Sequence, residues 1–451
     1  MTASIYRQTN TLLNGVFPLL LVFLFAIFSA LLEILIIPAR MHAQLILALL
    51  CLLAVFATGQ FAKVLRTPIG QSVTVFTAWF ITCIPFAIWR GGAFEVFDEY
   101  WYKSALIYLF TAGLLTTLPQ ANRIFHAIAY GTGLLCVVTL LKNARSSDGR
   151  LILDGTRYMN SNELAWTILV GLTFVGFLYL RGNRYQKTIA LLELPPILLA
   201  LSRTGSRAAM LGAGALFVAT LWQADRKTRI KLMAGVPVIV LALVVLLPKD
   251  VLFRYTTFFG TYSTYDTSRE EKLRISTIGS TEGRKQLLID SLVVTMQHPL
   301  MGVGPGNFQI AQADLAASRG EGGMWHVTHN TYTQLSSEMG LPGLIIYLVF
   351  LRNVFKVLNS IIRTRDTGPA WQNLRQLALT LRSAFIVFLL VACFSSLGYT
   401  TDVPILAGLT TALGFMAQKQ RAIDRLAEAQ ARVEAMTPAD SALEPVAVGL
   451  Y

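Results

Sequence analysis

Two arginines stand in the short stretch Leu201-Ser202-Arg203-Thr204-Gly205-Ser206-Arg207-Ala208-Ala209-Met210, which links two apolar runs. Guanidinium forks bind phosphate oxygens bidentately, and free amides at the start of the following helix would add to an anion site. The plainer alternative is that both arginines snorkel to lipid phosphates. The anion site is the preferred reading. Of five histidines, His298, His326 and His329 fall in one hydrophilic loop, and His329-Asn330 stands just before an apolar run. A neutral imidazole can take a proton from a hydroxyl, although a lone loop histidine is commonly only a surface residue. His326 and His329 also have the spacing of a metal pair on a helix. No nearby Cys or Asp completes such a site, so no metal or cofactor is expected.

Those side chains must be held by elements of a particular kind. The chain has 451 residues, of which 54% are hydrophobic and only 14% charged. Its mean hydropathy is +0.55. A soluble domain carries nearer ~25% charged residues, and long apolar stretches signal membrane spans. The fold class expected is an all-α polytopic membrane protein. Twelve apolar segments are read, near 16–37, 43–60, 72–89, 104–118, 123–141, 163–180, 187–202, 206–223, 231–247, 335–357, 381–398 and 403–418. Residues 1–247 would hold the first nine helices and 335–418 the last three. Those at 104–118 and 187–202 are short, and Pro195-Pro196 predicts a kink or break in the latter. The four cysteines lie in apolar stretches and read as small buried hydrophobes.

Charge sets the orientation. With the N-terminus in the cytoplasm, more than half of the 38 Lys and Arg lie on the cytoplasmic side, as the positive-inside bias requires. This accounts for most of the net charge of +13 without nucleic acid. Both termini are then inside, and 248–334 forms one large, partly helical loop on the outer side. Within it, Ser280 to Gln297 reads as a helix capped by Ser280 or Thr281 and ended by His298-Pro299. Gly302-Val303-Gly304-Pro305-Gly306-Asn307-Phe308 is turn-forming. It lacks the Gly-Lys-Ser/Thr of a phosphate loop, so it reads as a turn back to the membrane. Small residues in Gly340-Leu341-Pro342-Gly343 would let helices approach closely.

Other ionisable residues carry weaker signals. Glu33, near the outer end of the first span, can snorkel. Glu193 lies deeper and would pair with an arginine or cap a broken helix. Asp402 sits in the turn before the last span, facing the same compartment as Arg207 and His329, and Asp154, Arg157 and Asn162 would line that surface too. Residues 419–451 read as a short charged cytoplasmic helix followed by a disordered tail.

Taken in order, four local patterns resemble the O-antigen ligase and polymerase superfamily of bacterial envelope glycosyltransferases. They are Asp154-Gly155-Thr156-Arg157 with Asn162-Glu163-Leu164-Ala165; Thr204-Gly205-Ser206-Arg207-Ala208; Gly283-Arg284 with His298-Pro299-Leu300-Met301-Gly302-Val303-Gly304-Pro305-Gly306-Asn307-Phe308; and His329-Asn330 followed by Gly340 and Gly343. The patterned stretch runs from about 154 to 343, and the first 150 residues match only as generic spans.

The resemblance implies a GT-C-like architecture in the bacterial inner membrane and a metal-independent glycosyl transfer at its periplasmic face. The donor would be a glycan on undecaprenyl pyrophosphate. A ligase would pass it to lipid A–core, and a polymerase to another lipid-linked glycan. Arg207 and Arg284 match the family's functional arginines and His329 its key histidine. Asp402 matches a functional acidic residue, as an orienter of His329 or an acceptor-binding group. Arg203 has no clear counterpart in the family, the second serine-arginine pair being the better match; with Asn330 and Arg157 it is expected to contact substrate. A single displacement would invert the anomeric centre. A pilin- or protein-glycosylating member of the superfamily and, outside the enzymes, a secondary transporter are the competing readings.

Overall fold

In a computed structural model the described residues are 11–35, 43–147, 149–224, 226–246 and 268–436. Part of the large loop and the last fifteen residues, expected as the disordered tail, lie outside them. The described chain is helical, with no strand beyond one isolated bridge between Arg145 and Leu151. The helices are α1 (Thr11–Ser29), α2 (Ala43–Ala57), α3 (Pro68–Cys83), α4 (Tyr102–Leu114), α5 (Leu118–Lys142), α6 (Ser161–Arg181) and α7 (Arg184–Arg203). They continue with α8 (Arg207–Gln223), α9 (Arg226–Leu246), α10 (Ser268–Gln297), α11 (Phe308–Ser318), α12 (Thr331–Ile362), α13 (Pro369–Val391) and α14 (Asp402–Met436). By length and composition five are apolar enough to cross a membrane: Pro68–Phe86, Leu118–Lys142, Ser161–Arg181, Thr331–Ile362 and Pro369–Val391. Others, such as Leu13–Ser29 and Arg207–Trp222, are apolar but shorter.

Local chemistry explains where these helices begin. Thr67 accepts from the Gly70 amide ahead of Pro68, a residue suited to the first helical turn because it has no N–H to satisfy. Thr117 with Gln120 and Asn183 with Gln186 form reciprocal capping boxes for α5 and α7. The core between helices is aromatic and aliphatic, with Trp166, Phe28, Phe125 and Phe174 fully buried. Several hydroxyls inside it are tied to backbone carbonyls. Thr132, for example, donates to the Ile128 carbonyl at 2.9 Å.

Several sequence expectations change. The short segment at 104–118 is the second half of a longer helical run, which begins with Arg90–Val96 and passes through a π turn at Phe97–Trp101. Gly91-Gly92 and the acidic residues there hid it from hydropathy. The helix α7 contains Pro195 and Pro196 without a non-helical residue, so the expected break is not there. Glu193 forms no ion pair among the described residues; its Oε2 is buried without a hydrogen-bond partner beside Gly133. Glu33 does not snorkel: it accepts from the Arg157 amide at 2.9 Å and lies 3.9 Å from that guanidinium. The loop helix α10 starts at Ser268 rather than Ser280.

The break falls instead in α12. Gly340 has φ +69° and ψ 177°, a conformation open essentially only to glycine. Pro342 has no N–H to offer the Glu338 carbonyl, and the Leu341 amide turns away to the Pro299 carbonyl at 2.8 Å. Two helical carbonyls are thereby released, and the loop fills them. Val303 N–H donates to the Ser337 carbonyl and Gly304 N–H to the Glu338 carbonyl, each at 2.9 Å. The Glu338 side chain then accepts from the Gly306 amide and from the Tyr399 hydroxyl. Gly340 admits the loop backbone, while Gly343 faces a second helix as expected: Trp79 of α3 lies against it and donates from Nε1 to the Met339 carbonyl at 2.9 Å. A Cβ on Gly340 would lie 2.0 Å from the Leu300 oxygen, and one on Gly302 2.3 Å from the Glu338 carbonyl carbon.

Gly340→Val should therefore undock the loop. The backbone strain alone costs ~1–3 kcal/mol, before any clash. A lowered melting temperature and new protease cleavage near 299–304 are expected. A variant as stable and as resistant as the parent would show that the docking is not what fixes this loop.

Candidate functional site

The docked loop ends where the chemistry gathers. Arg207 is the first residue of α8, placed by a turn in which Gly205 has φ +60° and Ser206 caps the helix by accepting from the Ala209 amide. A residue missed in the sequence holds that turn. Arg150 donates from Nε to the Thr204 carbonyl at 2.6 Å and from a terminal nitrogen to Asn162 Oδ1 at 2.7 Å. Arg284 lies on α10, which packs on α12 and is joined to it by a 2.9 Å hydrogen bond between the Thr295 and Ser336 hydroxyls.

His329 precedes α12 with φ +52°, a left-handed conformation that few residues other than glycine adopt. Asn330 holds it there. Its Oδ1 accepts from the Tyr332 and Thr333 amides, and its Nδ2 donates to the Cys393 carbonyl at 3.2 Å. Asn330 is thus a helix cap and a strut to the α13–α14 turn. Thr328 adds a second strut through the Ser396 hydroxyl at 3.1 Å.

Arg207, Arg284, Lys285, Thr328, His329 and Asn330 line one cavity of about 320 Å³, with Ala208, Leu211, Leu288, Cys393 and Phe394 forming the rest of its wall. That volume suits a small ligand or the reacting end of a larger one. A separate apolar void of about 10 Å³ among Val73, Phe76 and Trp101 carries no chemistry. In the cavity, burial, the neighbouring Arg284 charge and the His326 ring push the His329 imidazole down to about 4. His329 is therefore neutral at ordinary pH, with a lone pair able to accept a proton. No Asp or Glu lines this space. Among the described residues no three His, Cys, Asp or Glu side chains cluster as metal ligands.

The other expected site residues lie elsewhere. Asp402, at the start of α14, accepts from Trp166 Nε1 at 2.9 Å rather than meeting His329. Arg157 donates to the Ile27 carbonyl at 2.8 Å, to Thr401 and to the Tyr158 hydroxyl, joining α1 to the turn before α14. Although burial opposes its charge, the surrounding Tyr158, Asp402 and Glu33 hold that guanidinium above its ordinary range. Arg203 ends α7, its carbonyl accepting from the Leu151 amide and its Nε buried without a hydrogen bond. Asp154 accepts from the neighbouring Gly155 amide in an exposed turn.

A second polar cluster braces the loop. Asp290, fully buried, accepts from Arg319 at 3.0 Å and 3.3 Å, from Gln312 and from Gln286. Burial favours its neutral form, yet these donors and the Arg319 charge hold the carboxyl below its ordinary range. Gln312 in turn accepts from the Met324 amide, so hydrogen bonds tie α10, α11 and the strap leading to His329 together.

Comparison with known families bears on the segment that carries the cavity's cations and His329. Residues 192–348 match the family model described as O-antigen ligase. Over that stretch, about a third of its length, the chain is similar to the O-antigen ligase family. The matched stretch contains Arg203, Arg207, Arg284, Lys285, His329 and the Gly340 break, and excludes Arg157 and Asp402. No curated protein matches the chain. The family points to a glycosyltransferase-like membrane enzyme of lipopolysaccharide synthesis that handles lipid-linked glycans.

Cysteine usage gives the cavity a probe. Cys51, Cys83 and Cys136 are buried as expected, but Cys393 is exposed and lines the site. Apolar neighbours in sequence concealed this. Desolvation pushes its thiol up, which slows alkylation at neutral pH. A bulky maleimide should label Cys393 selectively, faster as pH rises, and block activity that Cys393→Ser retains. Labelling without loss of activity would place the reacting groups elsewhere.

Proposed function

We propose that the protein is an O-antigen ligase, transferring a glycan from undecaprenyl pyrophosphate to a lipid A–core acceptor without a metal and with inversion. The reading includes about twelve transmembrane helices in a GT-C-like architecture, both termini cytoplasmic, and a site facing the periplasm from the bacterial inner membrane. One observation carries it: cations and a neutral imidazole from the stretch that matches the family share a single cavity with an apolar wall. Such a space suits an amphiphile with a pyrophosphate head and a polyprenyl tail running past Leu211, Leu288 and Phe394.

In this reading Arg207 and Arg284 stabilise the charge that the departing pyrophosphate gains. His329 takes the acceptor hydroxyl's proton as that oxygen attacks the anomeric carbon. Asn330 holds the imidazole in place. Asp402 and Arg157 act at a distance by fixing the α14 turn, and Arg203 closes the end of α7 against Leu151. A transporter would concentrate its charges near the bilayer midplane in repeated halves, whereas here they gather where the loop meets the helix ends.

Deleting the gene in its host and resolving the lipopolysaccharide on a gel tests the reaction. Bare lipid A–core with long polymer accumulating on the lipid carrier is expected. Core bearing a single repeat would mean a polymerase, and an unchanged lipopolysaccharide would point to pilin glycosylation or transport.

The base assignment has its own pH signature. With His329 held near 4 by burial, Arg284 and His326, kcat/KM should stay flat down to about pH 5 and fall only below that. The bound donor's negative charge offsets Arg284 and raises the imidazole, so kcat should fall at higher pH than kcat/KM does. An acid limb of kcat/KM near ~6.5 would mean a solvated histidine and a different base.

A further inference from the structure

Three cations and no carboxylate line the cavity: Arg207, Arg284 and Lys285. The first two match the family's arginines; Lys285 answers to nothing assigned so far. It follows Arg284 on α10, and consecutive helical residues point about 100° apart, so the two cations approach the cavity from different directions. Leu288, one turn further along, lines the same space and fixes which side of α10 faces it. Lys285 is exposed and makes no hydrogen bond or ion pair with another described residue.

The reaction supplies a use for a third charge. A lipid pyrophosphate diester carries about two negative charges. Transfer breaks the bond between the anomeric carbon and the terminal phosphate oxygen, and the electron pair stays on that oxygen. The acceptor oxygen forms the new bond to carbon and its proton passes to His329. The departing lipid pyrophosphate is now a monoester, whose terminal phosphate carries ~1.5–2 charges where it carried one. Two guanidiniums balance the donor; only the product calls for more.

We propose that Lys285 is a catalytic cation whose ammonium meets the charge that appears on the leaving oxygen. It makes the cavity bind the free lipid pyrophosphate more tightly than the glycosylated donor. This rests on the ligase reading above. A compact ammonium on a flexible stem can follow an oxygen as it departs, which a fixed guanidinium fork does less well. Interactions stronger in the transition state than with the donor raise kcat rather than donor affinity.

The test uses full-length protein in lipid nanodiscs, as parent, Lys285→Met and Lys285→Arg. The probes are geranylgeranyl pyrophosphate and the same lipid pyrophosphate carrying a sugar, with single-turnover transfer measured in parallel. The parent should prefer the free lipid pyrophosphate by about tenfold. In Lys285→Met that preference should vanish, donor affinity should hold within about twofold, and transfer should fall ~10–100-fold. Lys285→Arg should recover most of the rate. Equal loss of both affinities would make Lys285 a mere headgroup anchor and overturn the proposal, as would an unchanged rate. A parent that transfers normally beside an unaffected Lys285→Met sinks this inference alone. A parent that neither binds nor transfers from any lipid pyrophosphate sinks the ligase reading and this proposal with it.

Discussion

Arg284→Gln is expected to cut glycosyl transfer by about 10²–10³-fold while the protein still inserts and folds. Removing one fixed donor from the position where charge develops costs that much in enzymes that stabilise an oxyanion. Donor affinity should fall together with kcat, because Arg284 shares the donor's charge with Arg207, while the apolar wall at Leu211 and Phe394 retains part of the binding. A second consequence separates this account from a generic loss of binding. Arg284 is one of the charges that keeps His329 unprotonated, so removing it lets the imidazole rise towards its ordinary value. The acid limb of the residual activity should therefore move to higher pH, though not the whole way, since burial is the larger cause. An unmoved limb would mean that Arg284 and His329 do not share a field in the working enzyme.

His329→Gln carries the other large effect, a loss of about 10²–10⁴-fold, the usual contribution of a positioned base. Glutamine keeps a polar side chain of similar reach in a residue that must hold φ +52°, so the capping by Asn330 and the Thr328–Ser396 contact should survive. Donor binding should be preserved, measured with the same lipid pyrophosphate probes. The pH dependence below about 5 should disappear along with the activity. Full activity of His329→Gln at neutral pH would remove the base from the mechanism and leave the cations to do the work alone.

Much of the frame was legible because hydropathy needs only long apolar runs, and among the described residues five helices are such runs and others are shorter apolar ones. Arg207, Arg284 and His329 were legible by type and neighbourhood, and the cavity unites them across a sequence span of more than one hundred residues. What was not legible depends on pairing at a distance. Gly340 and Pro342 read as a close helix contact, whereas the released carbonyls of Ser337 and Glu338 receive loop amides from Val303 and Gly304. Nothing in local sequence announces a donor more than thirty residues away. Lys285 stood beside Arg284 in plain view, but which side of α10 faces the cavity is set by the packing of that helix on α12. Cys393 looked buried because its neighbours are apolar; it comes at the end of α13, where the chain turns out. The extra turns of α10 before Ser280 were missed because Ser268 to Ile278 lacks an apolar stripe.

Asp402 and Arg157 do not line the cavity, and both are engaged with partners that fix helix ends: Trp166 for the carboxylate, and Ile27 and Thr401 for the guanidinium. Charge and compartment alone do not distinguish a residue that meets substrate from one that holds the frame around it.

The most direct measurement is reconstitution. Purified protein in proteoliposomes would be given a glycan on undecaprenyl pyrophosphate and a lipid A–core acceptor, with chelator present throughout. The account predicts glycosylated lipid A–core and an equal amount of free undecaprenyl pyrophosphate, with the anomeric configuration inverted. Donor left intact beside unmodified core, under conditions where the protein is folded and binds the lipid pyrophosphate, would contradict it.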